Sequence, residues 1–380
     1  MTISPEMLAY LEESQEELKQ LIRDLCAIPA PSHHEEKRAE FCKKWFEGIG
    51  AKGVFIDEAL NVVCPHYVTD DSPVTVFMAH TDTVFPDTEP MPFVETEDTF
   101  QCPGVCDDTA NLAVMMLCAK YFIQNDIPGK TGIVFVANSC EEGLGNLKGC
   151  RAITQRYGKR MQQLISFDGY LLHMVASHAV GSHRYQVTVR TEGGHSFGDF
   201  GNRNAIAVLS NMITALYSVK VPQEGDSKTT YNVGSVSGGT SVNTICQEAT
   251  MLYEYRSDNH ICLQKMQQMF GQVIEAYRAM GVEIEVTLLG ERPCAANVDA
   301  DALAKLKQLA ADSVLRITGQ EAKFVSASTD CNIPLSLGIP SVCMGVCIAS
   351  GLHTRGETLQ LSSLPQGAKL CMDFMCNFFR

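Results

Sequence analysis

Residues 74–85 read VTVFMAHTDTVF, a run of apolar and β-branched residues that is interrupted by a histidine and an aspartate. A run that is apolar on both faces is typical of a strand buried inside a parallel sheet. His80 falls at the end of this strand, and Asp82 lies on the same side because strand side chains repeat every two residues. A histidine at a strand end is often only a satisfied core residue, so the surrounding chain has to decide its role.

Similar apolar runs recur between residues 61 and 168, and they alternate with helical patterns. This order predicts an α/β domain with a mixed, mostly parallel sheet and helices on both faces. In such sheets ligands bind beyond the carboxyl ends of the strands. The same pattern returns after residue 292, so we expect one discontinuous domain made of residues 1–180 and 292–380.

Residues 181–291 have a different pattern. Half-exposed strand patterns and two amphipathic helix patterns follow one another in the order β-α-β-β-α-β. This order predicts an inserted ferredoxin-like α+β domain.

Composition narrows the class of protein. The formal net charge of −14 argues against the basic surface that binding to nucleic acid or an anionic membrane needs. No apolar stretch approaches the length of a membrane span, and the acidic start of the chain does not resemble a secretory signal. We therefore expect a cytoplasmic protein, in which the 16 cysteines are reduced and mostly buried.

Further polar residues fall where predicted strands end. Each has a simple structural explanation when taken alone, such as a pair of carboxylates that caps a helix. Two adjacent glutamates at a sheet edge, however, repel each other unless cations hold them or one stays protonated. The strand-end residues, besides His80, are Asp107 and Asp108, Glu141 and Glu142, Asp168, and His353.

Two histidines and at least three carboxylates at one sheet edge form a set of nitrogen and oxygen ligands that suits zinc, cobalt or manganese. A carboxylate shared between two such ions holds them close enough for one to polarise a carbonyl while both acidify a water. A remaining glutamate could then serve as the general base. The pattern thus predicts a site for two divalent metal ions, with His80 as a ligand and Asp82 as the carboxylate that orients it.

With these residues in place, the sequence resembles the dinuclear-zinc metallopeptidase family that contains peptidase T, carboxypeptidase G, aminoacylase, acetylornithine deacetylase and succinyl-diaminopimelate desuccinylase. The resemblance covers nearly the whole chain. It rests on motifs that occur in the family's order: AHTDTV, GVCDD, SCEEG, SFDG, GGHSF, GSVSGGTSVNTI, YEYRS, SASTDCNIP and GLHTRGE.

The resemblance implies a zinc-exopeptidase-like catalytic domain and a role for each strand-end residue. His80, Asp107 and Asp168 would bind one metal ion, and Asp107, Glu142 and His353 the other, with Asp107 bridging the two. Glu141 would be the general base, and Asp82 would be the aspartate that supports a ligand. The peptide bond between Asp107 and Asp108 would be cis.

The resemblance also implies that residues 181–291 form a lid and dimerisation domain of a homodimer. His195 would reach the partner subunit's site and support the developing oxyanion. Asn243 and Arg256 would hold the substrate, Arg256 as a fork for a carboxylate. The chain departs from the commoner family pattern at HSFGDFGNRNAI and at Glu254-Tyr255-Arg256, which leaves substrate choice open.

The function predicted from the sequence is metal-dependent hydrolysis of an amide bond in a small peptide, as in a tripeptidase or other exopeptidase. The alternative with the same site is an N-acyl-amino-acid deacylase or desuccinylase. Two other classes are a cysteine hydrolase that uses Cys140 or Cys106 and a non-catalytic protein that binds metal or a small molecule.

Overall fold

The computed structural model describes residues 3–380. The helices are α1 (Pro5–Glu13), α2 (Gln15–Cys26), α3 (Glu36–Gly48), α4 (Asn111–Gln124), α5 (Lys148–Tyr157), α6 (Ala205–Tyr217), α7 (His260–Ala279), α8 (Ala300–Thr318), α9 (Asn332–Ser336) and α10 (Leu364–Cys376). The strands are β1 (Phe55–Ile56), β2 (Val62–His66), β3 (Val74–His80), β4 (Val94–Glu95), β5 (Thr99–Gln101), β6 (Gly132–Asn138), β7 (Met161–Phe167), β8 (Met174–Ala179), β9 (Gly181–Arg190), β10 (Gly194–His195), β11 (Thr229–Gly238), β12 (Thr244–Ile245), β13 (Glu248–Ser257), β14 (Glu283–Arg292), β15 (Lys323–Ala327), β16 (Ser341–Met344), β17 (Ala349–Ser350) and β18 (Thr358–Gln360).

The chain packs as two units. The larger unit comprises the described residues up to Ala179 together with Ala296–Arg380, and the smaller unit is Val180–Ala295. Among residues 3–380, no helix combines the length and the apolar character that crossing a membrane requires.

An eight-stranded sheet, in the order β1-β2-β6-β3-β7-β16-β8-β15, forms the centre of the larger unit. β3 lies parallel to both of its neighbours, β6 and β7, and β16 lies parallel to β7. Every residue of β3 and β6 is buried, so both faces of the sheet are covered at its centre. The predicted mixed α/β fold with a mostly parallel main sheet is confirmed.

The register of this sheet aligns the ends of its central strands. His80, the last residue of β3, lies opposite Asn138, the last residue of β6. Aromatic side chains pack on the sheet three residues before the end of β3, where the ring of Phe77 stacks on those of Phe135 and Phe167 at centroid distances of 5.9 and 6.2 Å. The residues that follow β3, β6 and β7 therefore lie together at the carboxyl edge of the main sheet.

The smaller unit has its own sheet and core. Its antiparallel sheet has the order β11-β13-β9-β14, and α6 and α7 supply much of the apolar core that packs against it. Burial alternates along β13, as expected for a strand with one face on a core. Asn204 and Asn259 begin the two helices, since the side-chain oxygen of each accepts backbone N–H bonds from the first turn.

Candidate metal centre

Residues that follow the strands of the larger unit meet at the carboxyl edge of its main sheet. Potential ligand atoms of His80, Asp107 and Glu142 all lie within 4.8 Å of one another. Those of His80, Glu141 and Asp168 form a second group of the same kind. The structure therefore brings both adjacent glutamates into the cluster, and His80 belongs to both groups.

Asp107 lies between two imidazoles. His80 Nε2 is 3.0 Å from Asp107 Oδ1, and His353 Nε2 is 3.0 Å from Asp107 Oδ2. Glu142 Oε1 lies 3.4 Å from the same nitrogen of His353. Each oxygen of one carboxylate thus faces a different histidine, which is the arrangement that a bridging ligand needs.

The cluster carries more negative charge than the protein balances. Burial raises the pKa of Glu142 to about 7 and the charge of Asp107 adds to the rise, whereas the nearby imidazole of His353 opposes it. Burial, followed by the charge of Asp107, also raises the pKa of Asp168 well above its usual range. Glu142 Oε1 is buried and accepts no hydrogen bond from the described residues. Crowded carboxylates beside two imidazoles fit divalent cations with zinc-like ligand preferences.

Asp82 holds the loop that carries the two glutamates. Its carboxylate accepts the backbone N–H groups of Glu141 at 2.9 Å and Glu142 at 3.0 Å, and the hydroxyl of Ser32 at 2.6 Å. His80 Nδ1 lies 3.0 Å from the backbone oxygen of Asp82 and 3.4 Å from its carboxylate. Burial opposes ionisation, but the contacts with His80 lower the pKa of Asp82. A proton on Nδ1 leaves Nε2 of His80 free to bind a metal.

The two adjacent aspartates point in different directions. The peptide bond between Asp107 and Asp108 is cis. Asp108 is buried, and its carboxylate accepts the backbone N–H of His80 at 2.9 Å and the side-chain amide of Asn111 at 2.7 Å. Asp108 therefore ties the turn before α4 to the end of β3, whereas Asp107 faces the histidines.

Glu357 is a supporting residue that the sequence reasoning missed. It is buried, and its carboxylate accepts backbone N–H bonds from Gly104 at 3.1 Å, Cys106 at 2.8 Å and Asp107 at 2.9 Å. It lies in the motif GLHTRGE, four residues after His353, so the motif itself contained the signal. Glu357 thus positions the backbone from which Asp107 projects.

We expect Glu357→Gln to weaken metal binding by about 10–100-fold, because an amide cannot accept all three N–H bonds with the strength of a carboxylate. Titration of metal-free protein with zinc would measure the change. Glu97→Gln, at an exposed position, is the matched control and should bind zinc like the unaltered protein. Unchanged zinc affinity in Glu357→Gln would show that Glu357 does not position Asp107.

His195 and Asn243 lie close together on two paired loops of the smaller unit. β10 pairs with β12, which places His195 opposite Thr244, and the backbone N–H of Ser196 donates to the backbone oxygen of Asn243 at 3.0 Å. His195 Nδ1 accepts the backbone N–H groups of Phe197 at 3.3 Å and Gly198 at 3.2 Å. The proton of a neutral His195 therefore resides on Nε2, which makes that nitrogen a donor.

Arg256 lies elsewhere in the same unit. Its guanidinium donates to Glu254 through Nε and Nη2, both at 3.0 Å, so its fork is occupied by a neighbouring carboxylate. Glu248 begins β13 only five residues after Asn243, whereas Arg256 lies near the far end of the same strand. Eight residues of strand span about 26 Å, so the structure does not bring Arg256 to His195 and Asn243 within this unit.

Burial and neighbouring charge disfavour the thiolate form of the two cysteines beside the cluster. Cys140 Sγ lies 3.2 Å from Glu35 Oε1, and burial, followed by the charge of Glu35, raises the pKa of Cys140 to about 12. Burial also raises the pKa of Cys106 well above its usual range. Both side chains are therefore thiols near neutral pH, which disfavours a cysteine hydrolase.

Comparison with known proteins adds to this geometry. The sequence profile of Peptidase family M20/M25/M40 matches residues 76–377. The uncharacterized protein YqjE of Bacillus subtilis is 27% identical over 369 residues, which cover 91% of this chain and 94% of YqjE. A succinyl-diaminopimelate desuccinylase of Nitrosococcus oceani is 25% identical over 267 residues, which cover 66% of this chain and 69% of the relative.

The fold also matches solved structures. A tripeptidase of Staphylococcus aureus superposes with a TM-score of 0.76 at 21% identity, over 95% of this chain and 97% of the tripeptidase. The family match spans most of the chain and includes every residue of the histidine and carboxylate cluster. The resemblance inferred from the ordered motifs is confirmed, and the chain belongs to Peptidase family M20/M25/M40.

Proposed function

We propose that this protein hydrolyses amide bonds in small peptides at a site that holds two divalent metal ions, with Glu141 as the general base. The observation that carries the proposal is the position of Asp107, whose two carboxylate oxygens each lie 3.0 Å from a different histidine. The surplus of buried carboxylates around it supports cation binding.

The ligand sets follow the family resemblance and the local contacts. His80, Asp107 and Asp168 would hold one ion, and Asp107, Glu142 and His353 the other. The nitrogen and oxygen donors suit zinc, with cobalt or manganese as alternatives. When bound, the two ions would polarise the scissile carbonyl and lower the pKa of the attacking water.

The protein's own residues would then move the protons. Glu141 is buried beside the cluster, where it can accept a proton from the attacking water and deliver it to the departing amine. His195 Nε2–H would donate to the carbonyl oxygen as negative charge develops there. Asn243, beside His195, would hold the substrate, and Arg256 would do so only after releasing Glu254.

The smaller unit would serve as the family's ferredoxin-like lid and dimerisation domain. Its elements β9, α6, β11, β13, α7 and β14 follow the β-α-β-β-α-β order. β11 is an edge strand, and all of its residues from Gly234 to Gly238 are exposed, which leaves a surface for a second copy. A homodimer would let His195 serve the partner subunit's site.

Two substrate classes share this chemistry. The structural match to a tripeptidase favours peptides, and the desuccinylase relative keeps N-acyl amino acids as the second candidate. Both reactions break an amide bond and release an amine, so the site geometry serves either. The preference for peptides rests on the family's motifs and on the tripeptidase fold.

We expect hydrolysis of di- and tripeptides to disappear on chelation and to return when zinc, cobalt or manganese is added back. Release of free amino groups measures the reaction, with N-acetyl and N-succinyl amino acids assayed in parallel. Selective cleavage of the acylated substrates would identify a deacylase instead. Activity that survives chelation but is lost on thiol alkylation would indicate a cysteine hydrolase, and no activity with any metal would favour a binding protein.

A further inference from the structure

The most exposed large apolar side chains of the described chain lie within five residues of His195 or Asn243 in the sequence. Val242 is 103% exposed, Phe200 90% and Phe197 89%, whereas the next, Leu337, is 64% exposed. All three belong to the two paired loops of the smaller unit. Leaving such side chains in water forgoes about 1.5–3 kcal/mol each, so their grouping around two residues with a proposed substrate role is informative.

The loop that carries the phenylalanines is held firmly by hydrogen bonds. Asp199 accepts the backbone N–H of His195 at 2.7 Å and returns its own N–H to the oxygen of His195 at 2.9 Å. The side chain of Asn202 donates to the oxygen of Gly193 at 2.8 Å. Gly194 has a φ of +133°, and a Cβ there would approach the side chain of Asp199 to 2.7 Å. The two rings are thus displayed by an ordered turn.

A cleft of ligand size begins beside this turn. It encloses about 430 Å³ and is lined by Gly194, Gly238, Gly239, Thr240, Thr244 and Ile245, among others. Glycines and small side chains leave room for a short peptide segment, since ligand sites are typically about 300–1,000 Å³. Residues 236–245, VSGGTSVNTI, carry no charged side chain, but Glu248 also lines the cleft. The apolar character of this region therefore comes from the exposed Phe197, Phe200 and Val242 beside the cleft and not from the cleft lining.

We propose that these two loops, residues 193–202 and 236–248, form a subsite for an apolar side chain next to the scissile amide of a peptide substrate. This inference rests on the proposed function, because it places the subsite where His195 meets the substrate carbonyl. Phe197 and Phe200 would cover the substrate side chain, and Val242 would extend the apolar surface beside Asn243. The enzyme would therefore prefer peptides with large apolar residues over those with glycine or serine.

The test compares kcat/KM for two tripeptide series, X-Gly-Gly and Gly-X-Gly, with X as leucine, phenylalanine, serine or glycine. We expect Phe197→Ser and Phe200→Ser to lower kcat/KM for the leucine and phenylalanine peptides of one series by about tenfold each. Glycine and serine peptides should change by no more than about twofold, since they leave the subsite empty. Phe197→Ser keeps the backbone N–H of residue 197, and Gly198 is unchanged in both variants, so both hydrogen bonds to His195 Nδ1 persist.

Met280→Ser is the matched control, because Met280 is a 61% exposed apolar residue of the same unit outside the two loops. It should leave kcat/KM unchanged for every peptide. An equal loss for all peptides in the phenylalanine variants would overturn the inference and show that the loop only positions His195. No loss for any peptide would also overturn it. Wild-type enzyme that cleaves no peptide would instead refute the proposed function, and the subsite with it.

Thr240→Trp tests the cleft separately from the phenylalanines. Thr240 is an exposed loop residue that lines the cleft, so a larger side chain there would fill the cleft without disturbing the core. We expect the same selective loss of about tenfold for leucine and phenylalanine peptides. If Thr240→Trp cleaves all peptides with the selectivity of the unaltered enzyme, the cleft does not bind the substrate side chain.

Discussion

Glu141→Gln is expected to lower kcat by about 10²–10⁴-fold while the protein still binds its metal ions. Glutamine keeps the size of the side chain but cannot accept a proton from the attacking water. The backbone N–H of Glu141 would still donate to Asp82, so the loop and the neighbouring Glu142 should keep their positions. Metal analysis of the purified variant, together with kcat on a cleaved peptide, measures both parts of the prediction.

Glu142→Gln is the matched control, because the two glutamates are adjacent and almost equally buried. Glu142 Oε1 lies 3.4 Å from His353, and Glu142 belongs to the group of potential ligands that contains Asp107. Loss of the Glu142 carboxylate charge should therefore reduce the metal content of the protein. Glu141 also lies near potential ligands, His80 and Asp168. Loss of metal from Glu141→Gln with retention in Glu142→Gln would therefore show that the base and the ligand are exchanged.

The main sheet could be predicted from the sequence because its central strands are apolar on both faces. Runs such as VTVFMAH and GIVFVAN allow few other structures when helical patterns separate them. The position of His80, Glu141, Glu142 and Asp168 follows from the same argument, since they end or follow the parallel strands β3, β6 and β7. Asp107 and His353 follow β5 and β17, which belong to a separate antiparallel sheet, so the argument does not place them. The HxD spacing at His80 and Asp82 added the expectation of a supporting carboxylate, and the structure places the Asp82 carboxylate 3.4 Å from His80.

Other features depend on the course of the backbone, which spacing does not reveal. The adjacent Asp107 and Asp108 look equivalent in the sequence, yet one faces the histidines and the other binds the N–H of His80. Glu357 binds the backbone of a turn some 250 residues away along the chain. Such a contact depends on tertiary packing and has no local pattern.

For Arg256, the sequence predicted a substrate carboxylate as the partner, although Glu254 was a possible partner two residues away. Glu254 and Arg256 are two residues apart in a strand, so their side chains share a face. Opposite charges on one face can pair directly, as both hydrogen bonds of the guanidinium to Glu254 show. A role for Arg256 in binding a substrate carboxylate therefore stays a prediction.

His195→Ala is expected to lower kcat by about 10²–10³-fold, because it removes a donor to the developing oxyanion. The proposed homodimer makes a sharper prediction. If His195 serves the partner subunit's site, a mixed dimer of His195→Ala and Glu141→Gln chains has one site with both residues intact. When equal amounts of the two chains exchange at random, about half of the dimers are mixed, and one of the two sites in each mixed dimer works. About a quarter of the wild-type activity should therefore return.

A mixture of Glu141→Gln and Glu142→Gln chains is the control for this complementation. Glu141 and Glu142 belong to the cluster of their own chain, so each chain of this mixed dimer has one altered residue in its own site. Neither site is complete, and no activity should return. Mass measurements on differently tagged chains would verify that subunits have exchanged. If exchange occurs and the His195→Ala mixture stays inactive, His195 does not complete the partner's site. Since His195 Nε2 is the nitrogen left to donate, the restored activity would locate that donor in the second copy.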